Sequence, residues 1–287
     1  MKHIILPTDF SNESIQTIKN AKILAAKLDK SIRLLYIIDY SRYANLYQEP
    51  MEVNTVPFAP ALQELQEIGE ELYRKHEEEI KNIIHPEIEV NYEIKPGVFP
   101  HVIVQESNDK DTYMIVLSKG NEDGFLTRFF DNTNEEIMSE AACPVLIMNE
   151  KQSLNSIKNI LYATNYHKED IPSLKKLSEL AGIYNAEITA LHITKDKDFD
   201  DRVKSEGFSD TLKKEADYNK LKIQLVEGKD AAEEIMKYSR ENKMDLIALL
   251  KENKGFLKEI FSSSSTREVL QDTKIPVIVF HQKSFIK

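Results

Sequence analysis

Cysteine is nearly absent: Cys143 stands alone in 287 residues. A single cysteine excludes an intrachain disulfide. Its setting, Ala141-Ala142-Cys143-Pro144-Val145, marks a small buried hydrophobe rather than a reactive thiol. Long apolar runs are missing as well. None approaches the roughly 18 residues of a membrane-crossing helix, so no membrane partner is expected. The stretch from Met1 meets Asp9 too soon for a signal-peptide core, which makes the cytoplasm the expected location. There is no run of lysine or arginine, and the formal net charge is -10. Such a chain repels phosphate backbones, so nucleic acid is not an expected partner. The seven histidines show neither HExxH nor close Cys/His spacing, and no metal site is expected. His76, beside Glu77, Glu78 and Glu79, reads as part of a solvated helix face. No Ser–His–acid set can be assembled, and Ser264 lacks the flanking glycines of a nucleophile elbow. No catalytic residue is assigned.

What the chain does have is an ordinary globular composition, 41% hydrophobic and 30% charged, and length for about two domains. It also has an internal repeat. Ile4-Ile5-Leu6-Pro7-Thr8-Asp9-Phe10 matches Ile160-Leu161-Tyr162-Ala163-Thr164-Asn165-Tyr166. Leu34-Leu35-Tyr36-Ile37-Ile38-Asp39 is aligned with Thr189-Ala190-Leu191-His192-Ile193-Thr194. Cys143-Pro144-Val145-Leu146-Ile147-Met148 matches Ile275-Pro276-Val277-Ile278-Val279-Phe280. The order is the same in both halves. A polar stretch around Glu150–Ser156 suits a linker, which sets the domains at 1–150 and 156–287.

In the first half, Ile4–Pro7, Arg33–Ile38, Glu87–Ile94, Met114–Ser118 and Val145–Met148 read as strands. Between them, Ser11 caps a helix over 12–28 with apolar residues at three and four. A loop at 40–58 leads to a charged helix at 59–84, whose stripe is Leu62, Leu65, Ile68, Leu72 and Ile80. Shorter helices follow at Val98–Ser107 and Asn134–Ala141. The second half repeats this, with strands near 159–163, 187–193, 222–226, 245–250 and 277–280. Its charged tract at 196–218 reads as a helix or flap over a crevice. Alternating βα units imply a parallel sheet with helices on both faces.

The ordered set resembles the universal stress protein family. The segments that carry the resemblance are Leu6-Pro7-Thr8-Asp9-Phe10-Ser11, Tyr36-Ile37-Ile38-Asp39, Ala141-Ala142-Cys143-Pro144-Val145-Leu146-Ile147 and Gly255-Phe256-Leu257-Lys258-Glu259-Ile260-Phe261. The resemblance implies an α/β fold of two tandem flavodoxin-like (Rossmann-like) domains. Each is a five-stranded parallel sheet of order 3-2-1-4-5, with its crevice between strands 1 and 4. It also implies pairing of the fifth strands, Val145–Met148 and Val277–Phe280, within the chain. A homodimer is a further implied partner.

Many members bind ATP through a Gly-x2-Gly-x9-Gly-(Ser/Thr) loop, where glycines let backbone N–H groups approach phosphates. Here Leu117 takes the first glycine position, Gly120 the second, and Asp131-Asn132 falls where Gly-Ser should be after a stretch one residue too long; a rival alignment with Asn121 at the second position restores the spacing but loses that glycine. In the second half Leu250, Asn253 and Ser263 replace the three glycines, followed by Ser264 and Ser265. That serine run is either an anion cradle or a helix N-cap region. Toward the base and sugar, the resemblance points to Pro7, Thr8, Asp9 and Ile37, and to Ala163, Asn165 and His192. Asp9 suits ribose hydroxyls or, alternatively, a turn after strand 1. His192 is either a ligand contact or a satisfied rim histidine. The expectation is a non-catalytic stress-response binding or regulatory module with eroded nucleotide sites and no firm cofactor. Its rivals are an ATP binder with slow ATPase or autophosphorylation activity, and a binder of another small molecule or metal.

Overall fold

The structure is a computed structural model that describes residues 2–38, 58–82, 85, 87–118, 137, 140–149, 151–195, 199–251 and 275–281. The chain divides into two compact units, Met1–Glu150 and Lys151–Lys287. Of the loop expected at 40–58, residues 40–57 lie outside the described residues, as does most of the helix expected at 134–141; Phe58 already belongs to a helix.

The first unit runs β1 (His3–Pro7), α1 (Asn12–Leu28), β2 (Ser31–Ile38), α2 (Phe58–Asn82), β3 (Val90–Pro96), α3 (Phe99–Ser107), β4 (Thr112–Ser118) and β5 (Val145–Met148). Its strands pair in parallel in the order β3-β2-β1-β4-β5. Ile4, Ile5, Ile32, Leu34, Leu35, Ile115 and Val145 are fully buried, as continuous apolar strands covered on both faces must be. Cys143 is buried among them. Ser11 caps α1, its hydroxyl accepting from the Ser14 N–H at 3.2 Å. The third strand starts at Val90 rather than Glu87, because the Ile88 N–H is used on the His85 carbonyl in a turn.

The stripe expected on α2 holds at Ile80, which is fully buried, and fails at Ile68, which is 43% exposed. Gly69 meets the sheet instead. A Cβ there would stand 2.9 Å from Tyr36 Cδ1, so the helix approaches β2 this closely only with glycine. His76 also departs from expectation. It is half-buried, its ring lies parallel to Phe10 with centroids 5.9 Å apart, and its Nδ1 lies 2.9 Å from the Leu72 carbonyl oxygen. After β3, Gly97 opens α3; a Cβ there would sit 2.3 Å from Val102 Cγ2.

Two cation arrangements tie the first unit together. Lys22, with no exposed surface, donates from Nζ to the last carbonyls of α2, Ile80 at 3.0 Å and Lys81 at 3.2 Å. Lys22→Met keeps the aliphatic stem but strands those carbonyls. It is expected to cost about 1–3 kcal/mol, read as faster amide exchange through α2. On the α3 side of the sheet, the buried Glu106 carboxylate receives Arg33 at 2.6 Å and Lys95 on its other oxygen. Arg33 also approaches Glu93 at 3.6 Å and Asp109 at 3.9 Å.

The second unit runs β6 (Asn159–Ala163), α4 (Asp170–Tyr184), β7 (Glu187–Thr194), α5 (Phe199–Glu215), β8 (Leu221–Glu227), α6 (Ala231–Glu241), β9 (Leu246–Lys251) and β10 (Val277–His281). Its parallel order, β10-β9-β6-β7-β8, is the same wiring as in the first unit. The tract expected as a helix or flap is helix α5, anchored by buried Phe208 and Leu212. The duplication extends to single backbone angles. Phe10 and Tyr166, each just after the first strand, take φ of 58° and 60°. Asp29 and Asn185 close the first helix of each unit in the left-handed conformation.

Register corrects the alignment of the second strands. Pro7 pairs with Leu35, Ala163 pairs with Leu191, and the Thr8 and Thr164 N–H groups donate to those two leucines' carbonyls. Gly97 and Gly228 then donate to Ile38 and Thr194. His192 therefore corresponds to Tyr36, not to Ile37. A slip of one residue exchanges the two faces of a strand.

Candidate functional site

The crevice of such a sheet lies at the carboxyl ends of the strands, where the order reverses between β1 and β4, and between β6 and β9. In each unit the chain leaves its first strand through a threonine that organises the turn. Thr8 is buried, and its hydroxyl accepts from the Phe10 N–H at 3.0 Å; Thr164 does the same for Tyr166 at 2.9 Å. This local bond offsets the cost of placing an aromatic residue at positive φ. The consequence is directional: both rings turn onto the ring of the second strand. Phe10 stacks with Tyr36 at 6.2 Å, and Tyr166 lies against His192 at 4.4 Å.

The rim residues differ. In the first unit Asp9 is half-buried, and its Oδ1 accepts from the Ser11 N–H at 3.0 Å and from the Ser14 hydroxyl. Pro7 is buried at the end of β1. Below them, the Thr17 hydroxyl donates to the Glu13 carbonyl at 3.0 Å and shares a 3.0 Å hydrogen bond with the hydroxyl of Ser118, the last residue of β4. Ile37 is buried on the face of β2 that carries Arg33, which makes it a core residue. The structure thus groups Thr8, Asp9 and Ser14 at one strand end, with Thr17 and Ser118 joining α1 to β4.

In the second unit the acid has moved. Asn165 takes the place of Asp9, and Asp170 takes that of Ser14, with only 1% of its surface exposed. Its Oδ1 accepts from the Tyr162 hydroxyl at 2.7 Å, and its Oδ2 from the Thr164 hydroxyl at 2.7 Å and the His167 N–H at 3.1 Å. Burial pushes the Asp170 carboxyl above its ordinary value, and these bonds oppose the shift. Tyr162 is fully buried and needs an acceptor, which Asp170 supplies. No repeat motif pointed to this acid, yet a tyrosine inside a buried apolar strand was its signal. His192 Nδ1 lies 2.7 Å from the Thr164 carbonyl oxygen, so Nδ1 carries a hydrogen and donates it. Above it, Tyr166 packs against Phe208 of α5 at 5.2 Å, and burial raises the Tyr166 phenol. Thr194 bonds Asp201, tying the start of α5 to the end of β7.

The structure therefore brings Thr164, Tyr166 and His192 together beside Asn165. Gly120, Asn132, Asn253, Ser263, Ser264 and Ser265 lie outside the described residues. Among the described residues, no helix is long and apolar enough to cross a membrane.

Two duplicated, doubly wound parallel domains with this strand-end turn define a tandem α/β protein of the flavodoxin-like class. The universal stress protein family model matches residues 1–149 and again 156–281, and the chain belongs to that family. A universal stress protein of Methanocaldococcus jannaschii is 26% identical over 148 residues, spanning 51% of this chain and 81% of that one. Among solved structures, a universal stress protein from Archaeoglobus fulgidus aligns with a TM-score of 0.70 at 16% identity, covering 97% of this chain and 96% of that one. A protein of unknown function from Pseudomonas aeruginosa aligns with a TM-score of 0.58 at 15% identity, covering 100% and 94%. At these identities the structural likenesses speak to the fold.

Proposed function

We propose that the chain is a non-catalytic stress-response module that binds or regulates a partner in the cytoplasm, with its nucleotide sites eroded. One observation carries the reading. In the second unit the ring series His192, Tyr166, Phe208 occupies the space beside Asn165 with the chain's own side chains. A base would have to displace packed aromatic surface to stack there. The acid at that rim has also been exchanged for a neutral amide. The loss of the motif glycines at Leu117, Leu250, Asn253 and Ser263 points the same way. In this reading the end strands β5 and β10 close each other's open edges.

Asp9 favours a second reading for the first unit alone, as an ATP binder with slow ATPase or autophosphorylation activity. Among the described residues, both of its hydrogen bonds fall on Oδ1, which leaves Oδ2 for ribose hydroxyls. The two readings separate on protein purified without denaturation. The eroded-site reading predicts that heat-released supernatant contains no stoichiometric adenine nucleotide by mass spectrometry. A one-to-one adenine nucleotide supports the second reading.

A further inference from the structure

The outer edge of the first unit's sheet carries a further feature, reached from the crevice through Phe10, whose ring stands 6.2 Å from Tyr73 and 5.8 Å from Tyr92. Strand β3 ends the order, and among the described residues no strand pairs with its outer side. Its ladder to β2 is bracketed by the bonds Ile32 N–H to Glu89 and Gly97 N–H to Ile38. In a parallel ladder the bonding direction alternates residue by residue. Glu89, Asn91, Glu93 and Lys95 therefore face β2, while the N–H and C=O groups of Val90, Tyr92 and Ile94 point outward. Beside this open edge runs a groove of about 410 Å³, lined by Gln66, Glu70, Tyr73 and Arg74 of α2 and by Tyr92 and Ile94. Its floor is a pair of parallel rings, Tyr73 and Tyr92, with centroids 4.3 Å apart.

We infer that this edge is a docking site for an extended, basic segment of a partner protein, which adds to the sheet as a further strand. Three consecutive outward backbone positions supply the hydrogen bonds of strand addition. Alternate side chains of the incoming segment lie over the Tyr73–Tyr92 rings, where a lysine or arginine stem packs and its charge meets the ring faces. The surrounding charge selects the sign. Glu70 borders the groove, and exposed Glu67, Glu71 and Glu78 continue outward on the same side of α2 by helical spacing. Arg74 lies at 3.3 Å from Glu70 and is the lining cation. A second copy of this chain would bring Glu89 and Glu93 to the same acidic edge, so a basic partner fits better. At the matching edge of the second unit, Lys220 stands at the place of Glu89, just before β8, and Lys222 at that of Asn91, so the acidic start of the β3 edge is not repeated there. Pro96 lacks an N–H and ends the usable edge.

The test uses the full chain and a fluorescent peptide of alternating lysine and valine. Two controls replace lysine by glutamate or N-methylate every valine. The lysine peptide is expected to bind about tenfold tighter than either control. It should also slow amide exchange at Tyr92 and Ile94. Glu70→Lys, on the exposed side of α2, is expected to weaken it roughly fivefold, with the circular dichroism unchanged. Equal binding of the N-methylated peptide would show charge attraction without strand addition and overturn the inference. So would absence of saturable binding, protection at β8 instead of β3, or protection that rises with protein concentration alone, the sign of a second copy.

Discussion

Asp170→Ala is expected to destabilise the second unit by about 2–4 kcal/mol, since it leaves the buried Tyr162 hydroxyl without its acceptor and frees Thr164 and His167. The effect is large because Tyr162 has no exposed surface and cannot turn to water. Amide exchange in β6 and β7 reads it locally, which matters in a chain of two units. Tyr162→Phe in the Asp170→Ala background is expected to recover part of the loss, because it removes the stranded hydroxyl. Equal destabilisation with and without Tyr162→Phe would show that the cost lies elsewhere. The acid also carries a pH signature. Its folded value lies above the unfolded one near 3.8, so the folded unit holds the proton more strongly. The stability this contributes is fully present below the unfolded value and is lost as pH rises through the folded value. Asp170→Asn is expected to remove that part of the slope.

Glu106→Ala is the counterpart in the first unit, with an expected cost of about 2–4 kcal/mol. The carboxylate has only 6% of its side chain exposed, and it holds both Arg33 and Lys95. The two cations are 18% and 30% exposed, so water relieves some of the imbalance and keeps the effect below that of a fully sealed pair. A hydrophobic replacement of all three, Glu106→Leu with Arg33→Met and Lys95→Met, is expected to restore most of the loss, because no charge is left buried: Glu93 and Asp109, which also lose cations, are 39% and 40% exposed to water. Urea titration followed by β2 and β3 amide exchange distinguishes the outcomes. A triple variant as unstable as Glu106→Ala would mean that the ion network itself, not the stranded charge, holds α3 on the sheet.

These two acids mark where the sequence pattern stopped being informative. The alternation of strands and helices, the Ser11 cap and the buried Cys143 were legible from period, cap chemistry and local apolarity. Register in the second strand was not. Leu34-Leu35-Tyr36-Ile37-Ile38 is apolar throughout, and a strand buried on both faces has no alternation to fix it. The threonine turn decided it, and with it His192 moved to the place of Tyr36. The α2 stripe misled at Ile68 because glycine, which carries no hydrophobic signal, makes the contact. Asp9 was legible as a turn acid. Asp170 was not, because an acid in the first turn of a helix reads as a favourable charge at the dipole rather than as an inward-facing acceptor.

The exchange of Asp9 and Ser14 for Asn165 and Asp170 gives the two rims unlike chemistry: a half-buried carboxylate in one unit, and a fully buried one in the other. Helix α5 and its Phe208 complete the second arrangement. The duplication preserved the turn that aims the aromatic ring while the charges around it changed place.

Isothermal titration of the full chain with magnesium ATP tests the eroded-site reading most directly. No saturable heat is expected up to millimolar ligand, in the parent chain and in Asp9→Ala alike. Micromolar binding in the parent chain, abolished by Asp9→Ala, would contradict it.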